Sequence, residues 1–140
     1  MITYVDTSTL LKRLLDEVGS ARADAIWAAA EVLVSAAMVV VEARAALAAA
    51  QRGGRLTYRE HRDAKAALVD LLEEVAIVKI TEDLVAIAAD LAEGTALRGY
   101  DAVHLAAALA VGAHVLTSSD SALCDAAERR GLRVANPIDG

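Results

Sequence analysis

Four acidic residues, Asp6, Glu42, Asp101 and Asp120, stand where carboxylates could act together, and for Asp6 and Glu42 ordinary surface charge is a poor explanation. Asp6 closes a short run of strand formers, Ile2-Thr3-Tyr4-Val5, and Thr7 and Ser8 then lead into Leu10-Leu11. That pattern predicts a buried first strand, a carboxylate at its C-terminal tip and a helix starting at Thr7 or Ser8. Glu42 follows three valines and lies about one turn into a helix, Asp101 opens a later helix, and Asp120 directly follows an apolar strand. Carboxylates brought together repel, and either protonation or a hard cation must compensate. Mg2+ or Mn2+ prefers oxygen ligands and keeps some of its water. Such a site suits phosphodiester hydrolysis, in which the metal polarises the phosphoryl oxygens and lowers the pKa of an attacking water. Asp6, Asp101 and Asp120 are the candidate ligands, and Glu42 either binds the ion or orients the water. One ion or two fits equally well. Thr7, Ser8 and Ser118 are candidates for holding those ligands or their waters in place.

The elements that would bring these residues together are legible from periodicity and punctuation. Strands are expected at residues 2–5, 32–35, 75–80, 114–117 and 132–135. Helices are expected from residue 7 or 8, then over 21–30, 38–51, 82–93 and 101–111. A capping box at Thr57-Tyr58-Arg59-Glu60 starts another that runs to about Glu74. A last helix spans 120–130, capped by Ser118 or Ser119 and closed by Gly131. Strands alternating with single or paired helices predict an α/β fold, a three-layer α/β/α sandwich around a short, mostly parallel sheet. In such a sheet the strand C-termini and helix N-termini share one edge, where ligands bind. All four acids fall on that edge. Asp101 and Asp120 also suit a helix N-terminus for its dipole alone, whereas Asp6 and Glu42 each follow an apolar run with no adjacent base.

Composition narrows the class. The 140 residues suit one domain over positions 1–140, and 56% hydrophobic content excludes a disordered chain. Cys124 is the single cysteine, so no internal disulfide forms, and no Cys/His spacing suggests zinc. It reads as a small buried hydrophobe, and a reducing, cytoplasmic setting is expected. The N-terminus lacks the basic flank of a secretory signal, and the longest apolar runs, 32–41 and 102–116, are too short or too interrupted to span a membrane. A net charge of −6 argues against broad, non-specific nucleic-acid binding but leaves a nucleic-acid substrate open. Trp27 reads as a packing residue beside the first helix, and His104 as a packed, hydrogen-bonded residue rather than a general base.

Together these residues resemble the PIN-domain ribonucleases, and within them the VapC-type toxins of bacterial type II toxin–antitoxin pairs. The likeness rests on Val5-Asp6-Thr7-Ser8 with Leu10-Leu11, on Val41-Glu42-Ala43-Arg44, on residues 97–106 (Leu-Arg-Gly-Tyr-Asp-Ala-Val-His-Leu-Ala), and on Leu116-Thr117-Ser118-Ser119-Asp120. It runs the length of the chain in order. The resemblance implies a Mg2+-dependent endoribonuclease that cuts single-stranded or loop RNA and whose acidic residues are Asp6, Glu42, Asp101 and Asp120. It also implies a homodimer and a cognate antitoxin whose C-terminal segment blocks the site. Ser118 stands where threonine is common, and the sequence after Asp120 is less basic than in many relatives. Arg44 and Arg98 are candidates for RNA contact. Lys12, Arg13, Arg52, Arg55, Arg59 and Arg62 read as solvated surface.

Two rival readings remain at the level of sequence. One is a non-catalytic dimerisation and antitoxin-binding module, against which the full set of acids argues. The other is aspartyl phosphotransfer of the haloacid-dehalogenase kind, which needs a second acid two residues after the first, where Ser8 stands.

Overall fold

The computed structural model describes residues 1–139. Five strands, β1 (Ile2–Val5), β2 (Val32–Ala36), β3 (Val75–Val78), β4 (Val115–Thr117) and β5 (Arg133–Ala135), form one sheet. Its order is β3-β2-β1-β4-β5, and every neighbouring pair is parallel. The helices are α1 (Thr7–Lys12), α2 (Ser20–Ala29), α3 (Met38–Arg52), α4 (Tyr58–Glu73), α5 (Glu82–Gly94), α6 (Gly99–Ala110) and α7 (Ser121–Arg129). A parallel sheet covered on both faces must bury both, and the two halves of the core show this directly. Tyr4, Val34 and Leu116 pack with α5, α6 and α7 on one side. Val5, Leu33 and Val75 pack with Leu10, Trp27, Leu47 and Leu68 from α1 to α4 on the other. This is the α/β/α sandwich expected from the alternation of strands and helices.

Residue alternation along β1 is what aims the site. Successive side chains on a strand point to opposite faces. Tyr4 therefore enters the α5–α6–α7 core, Val5 the opposite one, and Asp6 turns back to the side of Tyr4. The Asp6 amide continues the β1–β4 pairing with a bond to the Thr117 carbonyl at 3.0 Å. At the other end of β1, the Ile2 amide donates to His114 Nδ1 at 3.0 Å.

Helix starts follow the local chemistry with two instructive exceptions. The capping box at Thr57 and Glu60 is present, with both reciprocal bonds, 3.1 and 2.8 Å. By contrast α3 has no side-chain cap and opens with valines. Val39 is fully buried in the second core, so tertiary burial outweighs weak helix propensity. The start of α7 differs from the sequence expectation. Asp120, not Ser118 or Ser119, caps the helix, accepting the Leu123 amide on Oδ1 at 3.1 Å. Ser118 donates its hydroxyl proton to Asp6 and accepts the Asp120 amide, one step short of the helix's first turn. On α6, Ala102, Ala106, Ala107 and Ala108 are all fully buried, and these small side chains let the helix press closely against the sheet and α5.

Candidate active site

Asp6 and Asp101 are buried carboxylates on one edge of the sheet, and Glu42 and Asp120 are half-buried beside them. Asp6 hangs from the tip of the central strand. Its Oδ2 accepts two hydroxyls, Ser8 Oγ and Ser118 Oγ, each at 2.7 Å. Ser118 also accepts the Asp120 amide at 3.0 Å, and Ser8 accepts the Ser119 amide at 2.9 Å. Those bonds stitch the ends of β1 and β4 together. Glu42, one turn into α3, accepts Thr7 Oγ1 at 2.7 Å and faces His104 Nε2 at 2.6 Å, both on Oε1. The same histidine nitrogen lies 3.6 Å from Asp6 Oδ1. Its other ring nitrogen is 2.7 Å from the Tyr4 hydroxyl, which in turn accepts the Ala36 amide at 3.0 Å.

The electrostatics separate the acids by their partners. Asp101 has its carboxyl pushed up to about 6, first by burial and then by the negative charges of Asp120, Asp6 and Glu42. For Glu42 burial works the other way from the net result: the hydrogen bonds from His104 and Thr7 hold it below the usual carboxylate range. His104 is raised in spite of its burial, because of Glu42, Asp6 and Asp101.

Among the described residues, no three histidine, cysteine or acidic side chains close into a ready-made metal cage. The donor set nevertheless fits a hard divalent cation. It is made of oxygens, it carries mutual repulsion that Asp101 registers, and no lysine or arginine forms an ion pair with any of the four acids among the described residues.

The bases are elsewhere. Arg98 is exposed and donates to the Tyr100 hydroxyl at 2.7 Å, and the charges of Asp101 and Asp120 reach it. Arg44 lies with Val41, His61 and Lys65 along a groove of about 470 Å3 between α3 and α4. A second concavity, about 500 Å3, is lined by Leu14, Arg55 and Asp63 among others, none of the four acids among its lining residues. Volume alone would thus point away from the chemistry. Lys12 is not solvated as its type suggested: it is buried against Glu17 at 2.9 Å. Arg13 stacks over Trp27 at 5.1 Å and pairs with Asp24.

The link from Tyr4 through His104 to Glu42 was not anticipated from sequence. Two spacings carried the signal: Tyr4 and Asp6 are two apart on a strand, and Asp101 and His104 three apart on a helix, so each pair shares a face.

The model of the PIN domain matches residues 3–129. The chain belongs to the PIN-domain family. Ribonuclease VapC45 of Mycobacterium tuberculosis is 40% identical over 136 residues, covering 96% of this chain and 94% of the relative. This PIN domain therefore sits with the VapC proteins, as the four motifs suggested. Among solved structures, FitAcB from Neisseria gonorrhoeae superposes with a TM-score of 0.76 at 21% identity and full coverage of both chains. A toxin–antitoxin complex from Klebsiella pneumoniae gives 0.66 at 18%, covering 96% of this PIN domain and 97% of that chain. Likeness at these identities bears on the PIN fold.

Proposed function

We propose that this PIN domain is an endoribonuclease toxin of the VapC type, dependent on Mg2+ or Mn2+ and restrained by a cognate antitoxin. Asp6, Asp101 and Asp120 would hold the cation, with Glu42 beside them as ligand or as the group that orients water. The observation that carries this reading is the Asp101 carboxyl, driven upward by burial and by three neighbouring acids, with His104 offsetting only part of this and no lysine or arginine paired with it among the described residues. A bound cation supplies polarisation of the phosphoryl group and a water of lowered pKa. The chain's own residues do the positioning. Ser8 and Ser118 fix one oxygen of Asp6, and Thr7 fixes one of Glu42. Binding a cation requires Asp101 to give up its proton, so the site fills more readily above pH 6 than below it. Arg98, exposed and within reach of the charges of Asp101 and Asp120, would meet a phosphate approaching them, and Arg44 in the α3–α4 groove is the second candidate for RNA contact.

The name of the 40%-identical relative supports RNA as the substrate, and the Klebsiella complex supports an antitoxin partner. A homodimer and a cytoplasmic setting complete the reading. Among the described residues no helix is long and apolar enough to cross a membrane.

The test is cleavage of total RNA by the purified protein. Wild type is expected to cut in Mg2+ and to stop in excess chelator, whereas Asp6→Asn folds normally and loses at least about a hundredfold in rate, the order seen when a group stabilising the transition state is lost. Undiminished cutting by Asp6→Asn, or in chelator, overturns the mechanism.

A further inference from the structure

The acids at the site are not merely close; each of the two deepest networks consumes one carboxylate oxygen and leaves its twin. Asp6 Oδ2 takes both serine hydroxyls, while Oδ1 has only His104 Nε2 at 3.6 Å, beyond hydrogen-bond range. Glu42 Oε1 takes Thr7 Oγ1 and His104 Nε2, and among the described residues nothing bonds Oε2. Behind Glu42 the network continues into the core. A carboxylate only accepts, so Nε2 of His104 carries a proton and donates it. The Tyr4 oxygen accepts the Ala36 amide, and with a neutral imidazole its own proton goes to His104 Nδ1 at 2.7 Å. The chain of donors therefore runs from the Ala36 backbone through Tyr4 and His104 to a single oxygen of Glu42. Tyr4 and His104 are both fully buried, and the two rings meet edge to face with centroids 5.7 Å apart. Neither can swing without breaking the core.

We propose that Tyr4 and His104 are positioning residues that, with Thr7, tie down Oε1 of Glu42 so that Oε2 alone is offered to the cation, as Ser8 and Ser118 leave only Oδ1 of Asp6. This rests on reading the acids as a cation site. Its consequence is single-oxygen ligation by both residues. A Mg2+ ion demands near-octahedral coordination and gives up its waters reluctantly. Carboxylates restricted to one oxygen each leave positions around it for water and for phosphate oxygens, where a two-oxygen grip would fill them. Partners that orient metal-ligating carboxylates typically govern affinity by tenfold to a hundredfold.

Calorimetric titration with Mn2+, without RNA, tests the idea on wild type, Tyr4→Phe, His104→Ala and His104→Gln, and on the histidine variants combined with Glu42→Gln. Tyr4→Phe and His104→Ala are expected to bind Mn2+ roughly 10- to 100-fold more weakly. On RNA, kcat should fall while KM stays within about twofold, since neither side chain reaches the surface. His104→Gln, whose amide N–H replaces the donor at Nε2, should recover most of the affinity. In the Glu42→Gln background the histidine substitutions should weaken Mn2+ no further, because the group they act through is gone. The inference is overturned if folded His104→Ala and Tyr4→Phe bind Mn2+ as wild type does, or if the histidine and Glu42 effects simply multiply. Should His104→Ala not fold, Tyr4→Phe and His104→Gln decide. Failure of wild type itself to bind Mn2+ is a different result, and it removes the cation-site reading together with this one.

Discussion

At the scale of single residues, Asp101 differs from its neighbours in having no hydrogen-bond partner for its carboxylate among the described residues. Asp6 has two serines, Glu42 a histidine and a threonine, and Asp120 the Leu123 amide. An acid whose folded-state pKa is raised to about 6 binds its proton more tightly folded than unfolded. Folding stability therefore falls as pH rises from the ordinary carboxylate range through 6, and the full penalty is present above it. Asp101→Asn removes that charge. It should raise stability at pH 7.5 by on the order of 1 kcal/mol after allowance for solvent screening, change little at pH 4, and abolish cleavage. Urea denaturation at the two pH values checks it, and equal effects at both would refute the assignment. The acids themselves were legible in the sequence, because each ends an apolar run or opens a helix. Their partners were less so. Thr7, Ser8 and Ser118 announced themselves by lying beside an acid, but which hydroxyl serves which carboxylate depends on contacts 35 and 112 positions apart.

At the scale of elements, two of the capped helices, α4 and α7, make a useful contrast. Thr57 and Glu60 satisfy each other within one turn, so α4 could be read from four residues. Thr57→Ala should cost about 1 kcal/mol in chemical denaturation and leave RNA cleavage untouched, since the cap holds no acid of the site. At α7 the cap and the candidate ligand are one residue, Asp120. Asp120→Asn keeps an oxygen for the Leu123 amide and should preserve stability while cleavage is lost. Asp120→Ala should lose both, with a similar cost of about 1 kcal/mol. Comparing the melting temperatures of the two variants separates capping from chemistry. The sequence pointed to Ser118 or Ser119 here because both are good caps by type. What it did not show is that Ser118 donates to Asp6 across the sheet and accepts the Asp120 amide rather than one in the first turn of α7.

At the scale of the whole molecule, the alternation of strands and helices was enough to give the layers, and the fold then dictates the shared edge. It was not enough to give the strand order β3-β2-β1-β4-β5, which puts the first strand at the centre. Nor did it show that the two faces of that strand feed separate cores. Leu68 lies in the core opposite the His104 side and is 1% exposed. Leu68→Ala should cost roughly 2–5 kcal/mol by thermal or urea unfolding, while the protein that remains folded cleaves RNA at the wild-type rate. A proportional loss of specific activity per folded molecule would show that the two layers are coupled. The central place of β1 also sets a schedule for the molecule's birth. Asp6 is made 112 residues ahead of Ser118, which bonds its side chain, and its amide pairs with the carbonyl of Thr117. At ribosomal rates of about 5–20 residues per second, on the order of ten seconds separate those events. Throughout that interval the nascent chain carries its aspartate without the strand that seats it. Until β4 is made, Asp6 lacks the Ser118 hydroxyl, and a chain that stops short of β4 cannot bring the four acids to one edge.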